Sequence, residues 1–536
     1  MKKFQLLFVL SIQFIYCGAQ TLVKDINPGI GDAQIYNFTA LGNLTLFIAT
    51  DGTDGWEIWK TDGTTLGTQM VKDINPGSGD GPRYNNGVGN AFSPLIAMGD
   101  RVYFFANNGV SGVELWSTDG TESGTHIVSD INPGSGDAIA YTTADFVLVG
   151  NNTLFFKAQN GTDGLELWKT DGTGAGTVMV KNINPAGDAN PSGFFADGDT
   201  LYFMATDGTN GYELWKSDGS TLGTAMVVDI APGSTSSFPN NLNKLGNKLI
   251  FMADDGIHGS ELYISDGTAS GTFMVKDIFT GAPDGALPPA VLYNNRLIFN
   301  GKQITSDYEL WITDGTSAGT QRIKDIWPGS HGSYPHELTP FNGNVFFVAS
   351  DSVHGDEIWT TDGTTGGTAL FLDINNVTNH SSNVYVMQPA NGYLYFAAND
   401  GTNGSEVWRT DGTVPGTTML NQICPGSCSS APEKFYQNGN TLYFMAYEPS
   451  TGRELYKLDL PTGISTVTND DTRIYPNPVT DVLTVTNLDY NADLLITNLL
   501  GEVIIKTKAD TDIKTIDVSR FAPGMYFINR HRFIKE

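Results

Sequence analysis

The pattern ELWxTDGTxxGTxxVKDI, or a near variant of it, returns along this chain about every fifty residues. Glu57-Ile58-Trp59 opens the first copy, and the Glu-apolar-aromatic step recurs at Glu114, Glu166, Glu213, Glu261, Glu309, Glu357, Glu406 and Glu454. A residue repeated this many times cannot belong to one active site in every copy. The recurring residues are therefore read as structural, and function is sought where the copies become irregular.

One unit, Leu245 to Ile278, divides into short β-segments. The stretch leading to Leu245 is a first strand, and Gly246-Asn247 is a tight turn. Leu249–Met252 is a second strand, and Asp254 to Gly259 is a longer loop. Glu261–Ile264 is a third, Ser265-Asp266-Gly267-Thr268 opens the next turn, and Phe273–Ile278 is a fourth. Short runs rich in aromatic and branched residues between Gly, Asp and Asn read as antiparallel hairpins. No helical periodicity of useful length is present. Four strands in a unit of this length predict an all-β chain folded as a β-propeller of about nine blades, eight being the alternative if the ninth unit is degenerate. Thr21–Ile26 is a fourth-strand sequence stranded at the N-terminus. It is expected to complete the last blade and close the ring without a free edge. The rival strand for that place is Ile464–Val467.

The repeat resembles the ELWxxDGT family of secreted bacterial proteins over about residues 21–460. The resemblance implies architecture and carries no activity with it. The expected organisation is a signal peptide at 1–19, the propeller at 20–463, a linker at 464–470 and a separate C-terminal domain at 471–536.

The two ends give the address. Lys2 and Lys3 precede a short apolar run, Phe4 to Tyr16, and Cys17-Gly18-Ala19 offers small residues before a cut ahead of Gln20, as in a secretory signal peptide. The run is short for a transmembrane helix. Cys17 raises the alternative of a lipoprotein, against which bulky Tyr16 stands in the preceding position. The C-terminal domain lacks the repeat. It carries Tyr475-Pro476-Asn477-Pro478, then Asp481–Val485, Leu495–Asn498, Gly501–Ile504, Ile516–Ser519 and Pro523-Gly524-Met525-Tyr526-Phe527. Alternation between turn residues predicts a small β-sandwich. These blocks resemble the C-terminal sorting domain of the type IX secretion system of Bacteroidetes. That resemblance implies recognition by the type IX machinery, passage through the outer membrane, and surface attachment or release; the sorting-motif residues would be Tyr475, Pro476, Asn477, Pro478, Gly524 and Tyr526. A C-terminal β-sandwich binding module is the other reading of the same segment.

The formal net charge is −28, and residues 471–536 contribute almost none of it, holding eight basic and nine acidic side chains. A field of that sign repels nucleic acid and anionic lipid, which are set aside as partners. After signal removal only Cys424 and Cys428 remain. Two exported cysteines around Pro425-Gly426 suit a local disulfide, and the further Cys or His that a metal site needs are not nearby.

In each copy the third-strand aromatic, such as Trp59 or Trp116, is read as packing between blades, with a carbohydrate platform as the alternative. The Asp of each TDGT turn is expected to accept backbone N–H bonds, with Gly at φ > 0. The Glu is expected to cap backbone or hydroxyl groups of the next blade. Strand order sorts the loops into two faces: the tight LGN and TDGT turns form a uniform face, and the second-to-third loops and blade-to-blade connections form an irregular one, where ligands usually bind. The irregular face is acidic, with Asp51, Asp54, Asp207, Asp254, Asp255, Asp351 and Asp400 in its loops and Asp73, Asp130, Asp229, Asp277, Asp325 and Asp373 at fourth-strand ends. Oxygen-rich Asp-Gly loops suit Ca²⁺, for which Asp254, Asp255, Asp277 and Asp351 are the candidates; solvated turn carboxylates are the alternative. His258, His331, His336, His354 and His380 fall on the same face, and the insertion Asp80–Pro94 brings Arg83 and Tyr84. His331, Tyr334, His336 and His354 are the candidates for proton abstraction from a uronic acid, as in polysaccharide lyases. No nucleophile elbow, HExxH, phosphate loop or dinucleotide fingerprint occurs. The favoured expectation is a secreted or surface-displayed propeller for binding or scaffolding, directed at extracellular polysaccharide or another cell-envelope component. A secreted polysaccharide-degrading enzyme and a structural adhesin are the alternatives.

Overall fold

The structure is a computed structural model. It describes residues 19–461 apart from 86–89, 140–144 and 378–379, and then 473–475, 478–486, 493–498, 503–509, 511, 513–528 and 531–535. Most of the expected signal peptide, with Cys17, and all of the expected linker and the rival strand 464–467 lie outside the described residues. The chain divides into two compact units, Met1–Ile464 and Ser465–Glu536.

The first unit is built of nine four-stranded antiparallel sheets, and no helix occurs among the described residues. Eight sheets are simple meanders whose strands follow one another in sequence order. Their inner strands begin at Tyr36, Ile96, Phe146, Ser192, Asn240, Ala286, His336 and Tyr385, and that of the ninth sheet begins at Glu433. Each inner strand touches the inner strands on either side, and Tyr36–Leu41 touches both Ile96–Met98 and Glu433–Asn438, so the ring closes. This is a nine-bladed β-propeller. The ninth blade is completed by Gln20–Lys24, which pairs antiparallel with Gly452–Asp459 in the register Gln20↔Leu458. The ring is thus fastened by its own N-terminus, and no blade edge is left unpaired there.

The repeat supplies the packing between blades. Phe47, Phe104, Phe156, Phe203, Phe251, Phe299 and Phe347 are buried on second strands, and each third-strand ring packs against the preceding blade; Trp59 sits in one cluster with Val23, Ile26, Tyr443 and Leu455. The Lys of VKDI reaches across the same seam. Lys24 Nζ donates to the Thr68 carbonyl at 2.8 Å and lies 5.6 Å from the Trp59 ring, and Lys72 does the same to Thr125 and Trp116. A cation held over an indole between two blades adds to the apolar burial there.

The TDGT turns form the uniform face. Asp62 Oδ1 accepts from Thr64 N at 2.8 Å and Thr64 Oγ1 at 2.7 Å, and Thr64 Oγ1 accepts from Gly67 N at 2.9 Å. Thr61 and Thr68 join hydroxyls beneath the turn at 2.7 Å. Gly63 takes φ 86°, and a Cβ on Gly67 would lie 2.0 Å from Asp62 Oδ1, so both glycines are required by the turn.

The inner strands are irregular in a way the repeat does not announce. Asn37, Asn241, Glu337, Val386 and Lys434 occupy equivalent bulged positions with φ between 50° and 60°. Three residues earlier, Gln34, Phe238, Tyr334, Asn383 and Ala431 are also left-handed. These kinks turn the chain from the irregular face into the channel.

The second unit holds a three-stranded sheet, Arg473–Tyr475 with Val482–Thr486 and Ile513–Asp517, and a four-stranded sheet that includes Asp493–Asn498 and Gly524–Ile528. Val479, Leu483, Val485, Leu494, Ile496, Val518 and Phe533 make its core, giving the expected small sandwich.

Candidate functional site

Beneath the irregular face runs a ring of fully buried glutamates: Glu57, Glu114, Glu166, Glu213, Glu261, Glu309, Glu357, Glu406 and Glu454. Glu166 accepts from Ile183 N at 2.6 Å and Asn184 N at 3.1 Å, and Glu454 accepts from Ile26 N at 2.8 Å and Asn27 N at 3.0 Å. The backbone groups capped are those leaving the glutamate's own blade, a correction to the expected next-blade role. The reason is that the fourth strand ends beside the start of the third strand of the same sheet. The hydroxyl half of the expectation describes four blades, where Ser237, Ser333, Ser382 and Ser430 on the outgoing connections donate to Glu213, Glu309, Glu357 and Glu406. Burial pushes the carboxyl of Glu57 up to about 9 and those of Glu114 and Glu454 to about 8, against the pull of the backbone N–H groups. Burial lifts Glu166, Glu261 and Glu357 less far, to about 7.

The sequence-derived lyase residues do not share a hydrogen-bonded cluster. His354 Nδ1 pairs with Asp351 Oδ2 at 2.7 Å inside its own loop. His331 stacks on Trp327 with centroids 5.2 Å apart, and Tyr334 stacks on Tyr308 at 5.1 Å. His336 Nδ1 meets the Tyr334 carbonyl at 3.0 Å, a local backbone contact. Among the described residues no hydrogen bond between side chains joins any of the four to another. His258 is held by Asp255 as His354 is by Asp351, and that contact raises the pKa of both imidazoles. His380 is exposed at the edge of the blade 7 connection.

The Ca²⁺ candidates are engaged in turns. Asp255 Oδ1 accepts from Ile257 N and His258 N at 2.9 Å each, Asp351 Oδ1 from Val353 N and His354 N, Asp254 Oδ1 from Gly256 N at 2.7 Å, and Asp277 Oδ2 from Gly281 N at 3.4 Å. A closer carboxylate group adds Asp307, which the sequence did not single out, to Glu309 and Asp325, with oxygens within 4.8 Å of one another. Arg322 supplies its positive charge, bonding Asp307 at 3.2 Å and Asp325 at 3.3 Å. Arg322 stands where the other blades pair an apolar residue such as Met70, Met179 or Leu370 with the third-strand aromatic. Cys424 and Cys428 are joined by a disulfide with Cα atoms 5.3 Å apart.

The feature missed in the sequence is aromatic. The residue just before each Glu lies at the entry to the third strand on the irregular face, and it is Trp56, Tyr212 and Tyr308 in blades 1, 4 and 6 but Val113, Leu165, Ser260, Asp356, Ser405 and Arg453 elsewhere. Each of the three rings meets a second ring from the connection that follows. Trp56 lies 6.0 Å from Phe92, Tyr212 5.8 Å from Phe238, and Tyr308 5.1 Å from Tyr334. Phe238 is 54% exposed and Tyr334 49%. Comparing the copies position by position, rather than reading what they share, would have found this. A cavity of about 500 Å³ opens between Glu337, Tyr385, Val386, Met387, Glu433 and Lys434 at the inner-strand kinks, and another of about 430 Å³ lies at blade 1. The insertion after blade 1 folds into a hairpin, Arg83–Asn85 with Asn90–Phe92, and the Tyr84 side chain lies outside the description.

In the C-terminal unit Tyr475 and Pro478 are exposed, Tyr526 Oη donates to the Ala522 carbonyl at 3.0 Å, and Gly524 is extended; Pro476 and Asn477 lie outside the described residues. Residues 473–532 match the family model of the secretion system C-terminal sorting domain. This unit is a type IX secretion sorting domain. The chain is therefore a secreted protein exported by type IX secretion, and proteins so marked are often attached to the cell surface. No curated protein matches the chain. Solved structures similar to it include a puromycin hydrolase (TM-score 0.37, 12% identity, 80% of this chain and 61% of that one). PorZ, a surface component of the type IX secretion system of Porphyromonas gingivalis, gives a TM-score of 0.35 at 14% identity over 94% of this chain and 75% of that one. A puromycin-hydrolysing peptidase of Mycobacterium tuberculosis gives 0.35 at 12% identity over 73% and 62%. The chain spans about three fifths of the length of the puromycin hydrolase. No helix among the described residues is long and apolar enough to cross a membrane.

Proposed function

We propose that the propeller is an ELWxxDGT-repeat binding module that the sorting domain delivers outside the cell, and that its ligand is extracellular polysaccharide or another glycan of the cell envelope. One observation carries this reading: three aromatic pairs rise from one face, with Phe238 and Tyr334 about half exposed. Exposed rings backed by a second ring are stiff, amphipathic contact surfaces, and sugars offer them flat C–H faces. Rings that only filled space between blades would be covered, as Trp59 and Trp116 are.

The test is retention of the mature chain on a panel of soluble polysaccharides, with Ca²⁺ and with chelator, while chain length is followed in the same samples. Retention without shortening that weakens in Phe238→Ala and Tyr334→Ala is the expected result. Shortening with new unsaturated or reducing ends would overturn it in favour of the lyase reading. Loss of retention with chelator would assign a role to the Asp loops.

A further inference from the structure

Blade 1 departs from the other blades at three places that meet in space. Its pre-Glu residue is Trp56, the largest side chain at that position in any blade. The connection leaving it carries the added hairpin. The strand entering it follows the ring closure, so the loop from Asn27 to Gln34 joins the last blade to the first. Between these elements lies the cavity of about 430 Å³, walled by Trp56 and Ile30 on the apolar side and by Asp32, Gln34, Ser78 and Asp80 on the polar side. That volume falls in the range of small-molecule sites.

The hairpin positions the indole. The guanidinium of Arg83 sits 4.1 Å from the Trp56 ring centroid, and its Nη1 bonds Asp80 Oδ2 at 2.8 Å. Phe92, paired with Arg83 across the hairpin, stacks on Tyr36 at 3.9 Å and 15°. Trp56 is thereby fixed by a guanidinium and by the Phe92–Tyr36 stack; blade 6 has a counterpart in Tyr308, which lies 4.6 Å from Lys302 Nζ and stacks on Tyr334. Gln34 is exposed at the rim on a left-handed backbone (φ 46°).

We infer that this cavity is a subsite for an uncharged hexose unit of the glycan; the inference rests on the binding reading above and adds the location and the charge of the sugar. A pyranose ring presents a C–H face to an indole and a rim of hydroxyls that both donate and accept. The wall answers with an indole ring, an amide, a hydroxyl and two carboxylates. Carboxylates accept from sugar hydroxyls and repel a uronate or sulfate. The Arg83 guanidinium is already paired with Asp80 and that of Arg453 with Glu433, and the whole chain, at −28, adds to the exclusion of polyanions.

The deciding experiment measures binding of the mature full-length chain to a neutral β-glucan and to polygalacturonate by affinity electrophoresis and calorimetry. Two variants accompany it, Trp56→Ala and Ser78→Tyr, the latter filling the cavity from its exposed rim. The expected result is binding of the neutral glucan, weakened about tenfold in both variants with Tm unchanged. If Trp56→Ala lowers Tm, Ser78→Tyr decides. Full affinity in Ser78→Tyr would overturn the subsite while leaving the binding module standing. Preference for polygalacturonate would overturn the uncharged sugar. Failure of the wild-type chain to bind any glycan would overturn the binding reading and the subsite together.

Discussion

Two carboxylates recur in every full repeat, one on each side of the propeller, and they behave in opposite ways. Asp62 and its equivalents stand in the TDGT turns of the uniform face; Glu57 and its equivalents lie under the irregular face. Both accept backbone N–H bonds, as in Asp62 from Thr64 and Glu57 from Asn75. The aspartates are exposed, and hydrogen bonds from Thr64 hold Asp62 below its ordinary pKa. The glutamates are buried, and desolvation lifts Glu57 to about 9 despite its hydrogen bonds. The same donor chemistry gives opposite titration because loss of water outweighs two N–H groups at Glu57 and is outweighed by the Thr64 hydrogen bonds at Asp62. On the uniform face the carboxylate shapes a turn. Under the irregular face it satisfies backbone that would otherwise be buried without partners.

The contrast is broken most severely at the closure. Glu454→Ala leaves Ile26 N and Asn27 N without acceptors where the N-terminal strand is fastened. A loss of about 3 kcal/mol is expected in urea unfolding, since each buried unpaired donor costs roughly 1–3 kcal/mol. An unchanged midpoint would show that water or a backbone shift replaces the carboxyl.

The next effect is that of pH. The folded pKa of Glu57, Glu114 and Glu454 lies above the value of 4.5 expected without burial, so the folded chain keeps protons that the unfolded chain releases. That stability is complete below about pH 4.5 and is lost as pH rises through about 8 to 9. The thermal midpoint should therefore fall between pH 5 and pH 9, and a flat profile would mean that the N–H groups hold these carboxylates ionised throughout. The exposed aspartates act in the opposite sense, since their depressed pKa values give stability that disappears in acid. Smallest is Asp62→Ala, which removes one exposed turn acceptor; about 1 kcal/mol or less is expected by thermal unfolding. A cost equal to that of Glu454→Ala would erase the distinction between the two sides.

Much of this architecture was legible because a repeat encodes its blade locally. Gly63 and Asp62 announce their turn, and Thr21–Ile26 announces the missing strand of the ninth blade. The candidate site was less legible. His331, Tyr334, His336 and His354 are close in sequence or in repeat position, yet each is taken up by a neighbour, Trp327, Tyr308, a backbone carbonyl or Asp351. Proximity on a loop face does not set the direction of a side chain. Arg322 was not singled out in the sequence, and its partner Asp307 stands two residues before the blade's Glu, where the other blades carry Gly.

The sequence alone determined the blade and the export signal at the C-terminus, because each follows from local pattern or from a contiguous family match; it left eight or nine blades and two closing strands open, and the structure gives nine blades closed by Gln20–Lys24. Tertiary structure decided which atoms each glutamate caps, where the left-handed inner strands turn into the channel, and that Trp56, Arg83, Phe92 and Tyr36 come together beside a cavity. Those contacts join residues from the ring closure, a loop and an inserted hairpin, and only the closed ring brings such segments within van der Waals reach.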